Sequence, residues 1–410
     1  MASSVHIESA LRPRRELVAW RNAIFVIFTL SGLSIATWAA RLPEIKANLD
    51  VSTGSIGILI LGMSAGSILG LMASAWLMVR LGARSGMVLS LGFVAVGLVL
   101  IGIGAGVVFS PAVVFVGLAL FGFGNGSVDV MMNVEGAAAE TELGKTVLPL
   151  MHACFSLGTV IGAGIGAAAS ALAIGIVWHA GGIAVLIAVA VITAVRFVPV
   201  REELGDDTPT HSHKADWVTR LRANLSVWAD LRLILIGVIM LGMAFAEGSA
   251  NDWLALAVVE GHGQSAATGA IVFGVFVSAM TVGRVAGGPL IDRFGRVRVL
   301  QVSAVSAALG LVVFILGPNL WIIIVGTVFW GLGSALGFPL GMSAAAEGKN
   351  AAARVSAVAM IGYLAFLVGP PLIGLLGDAI GLLNALFFVL ILVVFSGLAS
   401  PAAREQRAKP

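Results

Sequence analysis

Asn125, Asp129 and Asn133 stand four residues apart, a spacing that sets three polar side chains along one face of a helix. A helix returning from a turn near Glu142 would carry His152 past the level of Met132, where its imidazole can approach Asp129 or Asn133. A carboxylate beside an imidazole can exchange protons near neutral pH. The same two groups can also serve only as a structural hydrogen bond that closes the hairpin. Glu247 and Asn251 repeat the four-residue spacing, with Asp252 and Trp253 directly after them. Here the alternatives are a solute- or proton-binding acid with an amide partner, or a helix-packing contact. Trp38 and Trp253 occupy matching levels, and Tyr363 is the chain's single tyrosine. Aromatic faces suit ring-shaped solutes, although tryptophan also anchors at membrane interfaces.

From these residues, the expected solute site is Trp38, Asn125, Asn133, Glu247, Asn251, Trp253 and Tyr363. The expected proton-coupling set is Asp129, His152 and Glu247. Arg41, which faces Glu44 across Pro43, is read as a gate or a plain ion pair. Arg284, embedded in the cytoplasmic third of the eighth span, can snorkel or pair there and is read as a structural latch, alongside Asp292, Arg293 and Arg296; Glu135, near the end of the fourth, is read as a latch or a relay.

The elements that must position these groups are membrane spans. The chain is 59% hydrophobic and only 11% charged over 410 residues, too apolar for a soluble domain of this length. A hydrocarbon core of about 30 Å takes roughly 20 helical residues. Apolar runs of that length fall at 21–41, 54–79, 86–106, 112–138, 146–172, 178–198, 231–258, 267–291, 299–316, 320–345, 354–377 and 382–399. An ionisable group at the bilayer centre costs roughly 2.5–3.5 kcal/mol, so each embedded one calls for a reason.

Lys and Arg total 24, and with Met1 placed in the cytoplasm all but Arg41, Lys46 and Arg284 fall on the cytoplasmic side. Positive charge resists translocation, which predicts an inner-membrane protein with both termini inside. The first apolar run carries no small-residue cleavage site and reads as an uncleaved span.

Several chemistries drop out. The net charge of +3 traces one membrane face and forms no nucleic-acid patch. The lone Cys154 excludes an internal disulfide and a cysteine zinc site. Leu143-Gly144-Lys145-Thr146 lacks the first glycine and the preceding strand of a phosphate loop. His211 and His213 sit in an acidic polar stretch and read as solvated. No nucleophile–base set stands at catalytic spacing, so neither an enzyme nor a cofactor is expected.

The spans divide into two parallel sets. Arg80-Leu81-Gly82-Ala83-Arg84 follows the second span, and Arg293-Phe294-Gly295-Arg296 follows the eighth. Phe121-Gly122-Phe123-Gly124 in the fourth is echoed by Trp330-Gly331-Leu332-Gly333 in the tenth. The expected organisation is an N-terminal segment 1–20, a six-helix bundle 21–198, a linker 199–230, a second bundle 231–399 and a tail 400–410. Within the linker, Trp217, Leu221, Leu225 and Trp228 predict a helix lying on the membrane surface. Parallel six-helix halves around a midplane site are a transporter architecture.

Gly288-Pro289-Leu290-Ile291-Asp292-Arg293-Phe294-Gly295-Arg296 resembles the loop signature of the major facilitator superfamily, whereas the first-half copy has Val79 at the acidic position. Asn133-Val134-Glu135-Gly136-Ala137-Ala138, the stretch Ala244 to Trp253 and the stretch Gly362 to Pro371 resemble its YbjJ/MosC-like branch. The resemblance implies an all-α fold of twelve spans and a secondary transporter that rocks its halves. It also implies a sugar- or cyclitol-like solute, with protons and the bilayer as the other partners and a monomeric state. Proton-driven efflux of a metabolite or drug is the alternative. A non-transporting receptor is a further one.

Overall fold

The computed structural model describes residues 13–145, 147–200, 230–347 and 351–405, so the expected surface helix of the linker lies outside the described residues. Every regular element among them is helical, as backbone in lipid requires when no partner strand is at hand. The first set runs α1 (Arg14–Ala39), α2 (Leu42–Leu49), α3 (Thr53–Gly106), α4 (Pro111–Leu143), α5 (Leu148–Ala171) and α6 (Ile176–Ala194). The second runs α7 (Leu231–Leu256), α8 (Ala266–Phe294), α9 (Arg296–Leu316), α10 (Leu320–Ser334), α11 (Gly337–Ala345), α12 (Ala351–Ile380) and α13 (Leu382–Ala399).

Among the described residues, 11 helices are long and apolar enough to cross a membrane. One of them, α3, has 54 residues, about 80 Å at 1.5 Å per residue and far beyond one bilayer. It breaks at Gly82, where φ is 72° and ψ is 164°, and so supplies two crossings, bringing the total to twelve. The expected single span 320–345 is instead two helices that meet at Ala335 and Leu336.

Gly295, between α8 and α9, has φ 77° and ψ 156°, nearly the geometry of Gly82. A side chain is strained at such a positive φ, which is why glycine ends the span at the matching place in both halves. The arginine after each glycine then ties the turn to the last helix of its own half. Arg84 donates to the Arg196 carbonyl at 3.0 Å and to the Val198 carbonyl. Arg296 donates to the Ala403 carbonyl at 3.5 Å and to Glu347 at 2.7 Å.

Lipid is as apolar as leucine, so close packing, and not expulsion from water, holds the helices together. A Cβ on Gly124 would lie 2.4 Å from the Ser90 carbonyl oxygen, and one on Gly333 would lie 2.6 Å from that of Ser303. Both halves therefore press their fourth crossing onto their third through glycine. The echo read from the sequence is a shared packing device.

Each set packs mainly within itself, and two seams join them: α3 against α12, and α5 against α8. The α3–α12 seam is tight at the face opposite the Lys- and Arg-rich one. There a Cβ on Gly57 would lie 2.7 Å from the Pro370 carbonyl oxygen. Asp378 of α12 accepts from the Gly54 N–H at 2.9 Å. Lys46 pairs with Glu260 across the same face. Toward the basic face α5 and α8 part around a vestibule.

On the basic face itself, Arg232 and Arg296 share Glu347, at 3.1 and 2.7 Å. Arg354 pairs with Asp230, which also accepts from the Arg232 N–H at 2.9 Å and caps α7. The hydrogen bond from the Arg354 guanidinium holds the Asp230 carboxyl below the usual carboxylate range, against the opposing effect of burial. The native carboxylate therefore binds its proton less readily than the unfolded one. The contact stabilises at neutral pH and is lost as pH falls through that lowered native value. Asp230 is 37% exposed, so Asp230→Ala should cost no more than about 1 kcal/mol at neutral pH. Thermal unfolding in detergent should show the difference from wild type vanish below about pH 3; an equal difference at both pH values would contradict this account.

Candidate functional site

The vestibule is a cavity of about 920 Å³, walled by His152 and Ser156 from α5, Glu247 from α7, Thr281 and Arg284 from α8, and Phe338 from α11. At its centre Arg284 donates to Glu247 at 2.8 Å, with their side chains 33% and 15% exposed. Of the two alternatives for Arg284, snorkelling or pairing, the structure shows pairing. Arg284 is the counter-ion of the deepest acid in the second half, and the pair faces the space between the bundles.

His152 and Asp129 do not form the expected proton pair. α5 packs along α1 and only grazes α4, which turns the His152 ring edge-on to Phe28, 5.1 Å between centroids. Asp129 is exposed. Asn133 donates to its backbone carbonyl at 2.8 Å and to its Oδ1 at 3.4 Å. The polar face of α4 is real, but Asp129 answers to its own helix and to Tyr363 across the gap, close enough to feel its charge.

Deeper in, a second cavity of about 250 Å³ separates the two sets. Trp38, Asn125, Asn251 and Tyr363 line it, as expected, together with Ser64, Ser67 and Asp252. Asn125 is held in place from α1: the Ser31 hydroxyl donates to its Oδ1 at 2.9 Å, and its Nδ2 donates to Ser34 at 3.3 Å. Phe366 borders both cavities. Trp253 departs from the expectation. It is fully buried, away from the central space, and a Cβ on Gly374 would lie 3.1 Å from its ring. Asp252, one residue earlier and about 100° around the helix, takes the wall position instead.

The gating set is rearranged as well. Arg41 is 1% exposed. It binds Glu44, donates to the Ile174 carbonyl at 2.6 Å and lies 3.4 Å from His179 Nδ1. All of these belong to the first set, so Arg41 staples α1 to the α5–α6 turn and spans no seam. Glu135 is buried in α4. Asp292 is exposed and makes no ion pair among the described residues. Arg293 lies over the neighbouring Phe294 ring at 5.3 Å. A Cβ on Gly288 would meet nothing within 4 Å, so that glycine makes no close helix contact, and the signature is tied down at its far end by Arg296, which binds Glu347.

Two positions at the cavity and the closed seam were not among the residues singled out from the sequence. Asp252 was passed over because a span apolar on all sides does not reveal which residue faces the cavity. Asp378 sits in the last turn of its span and reads there as an ordinary surface acid. The pairing of Arg284 with Glu247 did have a signal: the lone embedded cation needs an embedded anion.

Comparison with known proteins fits this geometry. The Major Facilitator Superfamily profile matches residues 24–288 and 248–409. Membrane protein MosC of Rhizobium meliloti is 25% identical over 383 residues, covering 92% of this chain and 89% of that protein. Among solved structures, a variant of the nucleoside transporter NupG superposes with a TM-score of 0.71 at 16% identity, covering 95% of this chain and 100% of that one. The Escherichia coli fucose:proton symporter FucP does so at 0.62 and 14% identity, covering 96% and 100%. The fold is thus shared with these structures over nearly the full length, and the profile match over both sets shows that the chain belongs to the major facilitator superfamily, in company with MosC.

Proposed function

We infer that this transporter moves a small polyhydroxylated solute, sugar- or cyclitol-like, coupled to protons, by rocking residues 21–198 against residues 231–399. The observation that carries the reading is the 250 Å³ cavity walled by the aromatic rings of Trp38, Phe121, Tyr363 and Phe366 and by two amides, Asn125 and Asn251. Rings suit the apolar faces of a cyclic solute, and amides donate to and accept from its hydroxyl groups. The volume lies near the lower end for small-molecule sites. NupG and FucP carry a nucleoside and a sugar with a proton in their names, which agrees with this class. The charge rule sets the basic face, and with it the vestibule, in the cytoplasm of the inner membrane.

The test is a thermal-shift panel of monosaccharides, cyclitols and nucleosides on purified protein, followed by proteoliposome uptake of each stabilising compound with and without an imposed pH gradient. Stabilisation by a ring polyol and gradient-dependent accumulation are expected. Stabilisation confined to apolar cations, or uptake indifferent to the gradient, would overturn the substrate class or the coupling respectively. The sign of the accumulation separates uptake from efflux.

A further inference from the structure

Among the described residues, Asp252 is the only acid on the wall of the central cavity, and nothing in the ion-pair scheme above uses it. It is 9% exposed and makes no hydrogen bond or ion pair among the described residues. On its other side it borders a void of about 10 Å³ between α7 and α12, shared with Ser249, Trp253, Phe366 and Gly369. That space takes about one water and excludes any solute.

The neighbouring charges are committed elsewhere. On α8, Arg284 is bound to Glu247, more than a helical turn away toward the basic face. On α1, Arg41 is held by Glu44 and the Ile174 carbonyl, with His179 of α6 beside it. On α2, Lys46 is held by Glu260. From α12, Asp378 caps α3 and Tyr363 faces Asp129 of α4. His152 of α5 lies against Phe28. An ionised Asp252 therefore has no counter-ion in this state, and buried charge without a partner is the arrangement proteins avoid.

We propose that Asp252 is the residue that takes up and releases the coupled proton, with the one-water void as its relay. The step balances simply: hydronium gives its proton to the Asp252 carboxylate and leaves as water, and the reverse occurs on the other side. Glu247 is set aside because Arg284 already neutralises it. Asp129 is set aside because it is exposed in this state and hydrogen-bonded along its own helix. The proposal rests on the proton-coupled reading above and names the site of that coupling.

The test needs no solute. The full chain in lipid nanodiscs is followed by infrared difference spectroscopy between about pH 9 and about pH 5, reading the C=O stretch of protonated carboxyl groups. The wild type should show a buried carboxyl titrating in this range. Asp252→Asn should lose that band, whereas Glu247→Gln and Asp129→Asn keep it. Asp252→Glu should restore a shifted band, which guards against a folding defect in the amide variant. A band that survives in Asp252→Asn and vanishes in Glu247→Gln or Asp129→Asn overturns the assignment while leaving proton coupling intact. A wild type with no titrating carboxyl overturns the assignment and the coupled reading together.

Discussion

Arg284→Gln is expected to lower the unfolding free energy by about 3 kcal/mol and to abolish transport, while Glu247→Gln combined with Arg284→Gln recovers most of the stability and none of the transport. Removing one partner of a buried pair typically costs about 3–5 kcal/mol, mostly because the other charge is left uncompensated. The lower end applies here, since the Arg284 side chain is 33% exposed and water in the vestibule relieves part of the penalty. Removing both charges removes the penalty, because two neutral amides can still hydrogen-bond over the same 2.8 Å gap. Transport is a different matter. The pair lines the vestibule, and on the proposed reading solute reaches the central cavity past its charges. A double-mutant cycle on thermal midpoints should therefore give a coupling near the single-mutant loss. Additive losses would mean that the two side chains act independently, and the pair would then have no role as a unit.

How far these features were legible depends on the kind of signal. Glycines at Gly82 and Gly295 announced the turns because a positive φ admits little else, and the charge bias fixed which ends share a face. The number of crossings and the repeat follow from period and length alone. Azimuth does not. Trp253 and Asp252 are adjacent in sequence, both in a helix apolar all round, and only the packing of α7 against α12 and α13 decides which one meets the cavity. For His152 the level along the bundle was readable and the direction was not, because that direction is set by how α5 lies on α1. The break at Ala335 and Leu336 carries no proline, and its neighbours Gly331, Gly333 and Gly337 are explained equally well by close packing. Single-chain patterns carry depth and periodicity. Which residue faces which partner belongs to contacts between segments far apart in the chain.

Those long-range contacts also give the second large effect: widening the face opposite the vestibule by altering Gly57 and Asp378 should move the population toward a state open on that side. Three contacts hold that face shut across the two sets. A Cβ at Gly57 would lie 2.7 Å from the Pro370 carbonyl oxygen and 2.8 Å from the Pro371 Cα, both backbone atoms that cannot swing aside. Asp378 reaches from α12 to accept from the Gly54 N–H at the start of α3, capping a helix that belongs to the other set. Lys46 and Glu260 close the rim. Gly57→Leu inserts a side chain into a closed seam, where overpacking costs about 1–3 kcal/mol. That cost exists only while the seam is shut, so it becomes a bias of roughly 5- to 150-fold toward opening. Asp378→Ala removes a cap worth about 0.5–2 kcal/mol from the same state. The two substitutions should act in the same direction. Spin labels placed on α2 and on the turn after α7, in a Cys154→Ser background, would read the change as a longer distance population, larger in Gly57→Leu than in Asp378→Ala. Unchanged distances in both variants would show that the seam does not govern which face is open. A lengthened distance in Asp378→Ala alone would place the control in the trans cap and not in the glycine contact.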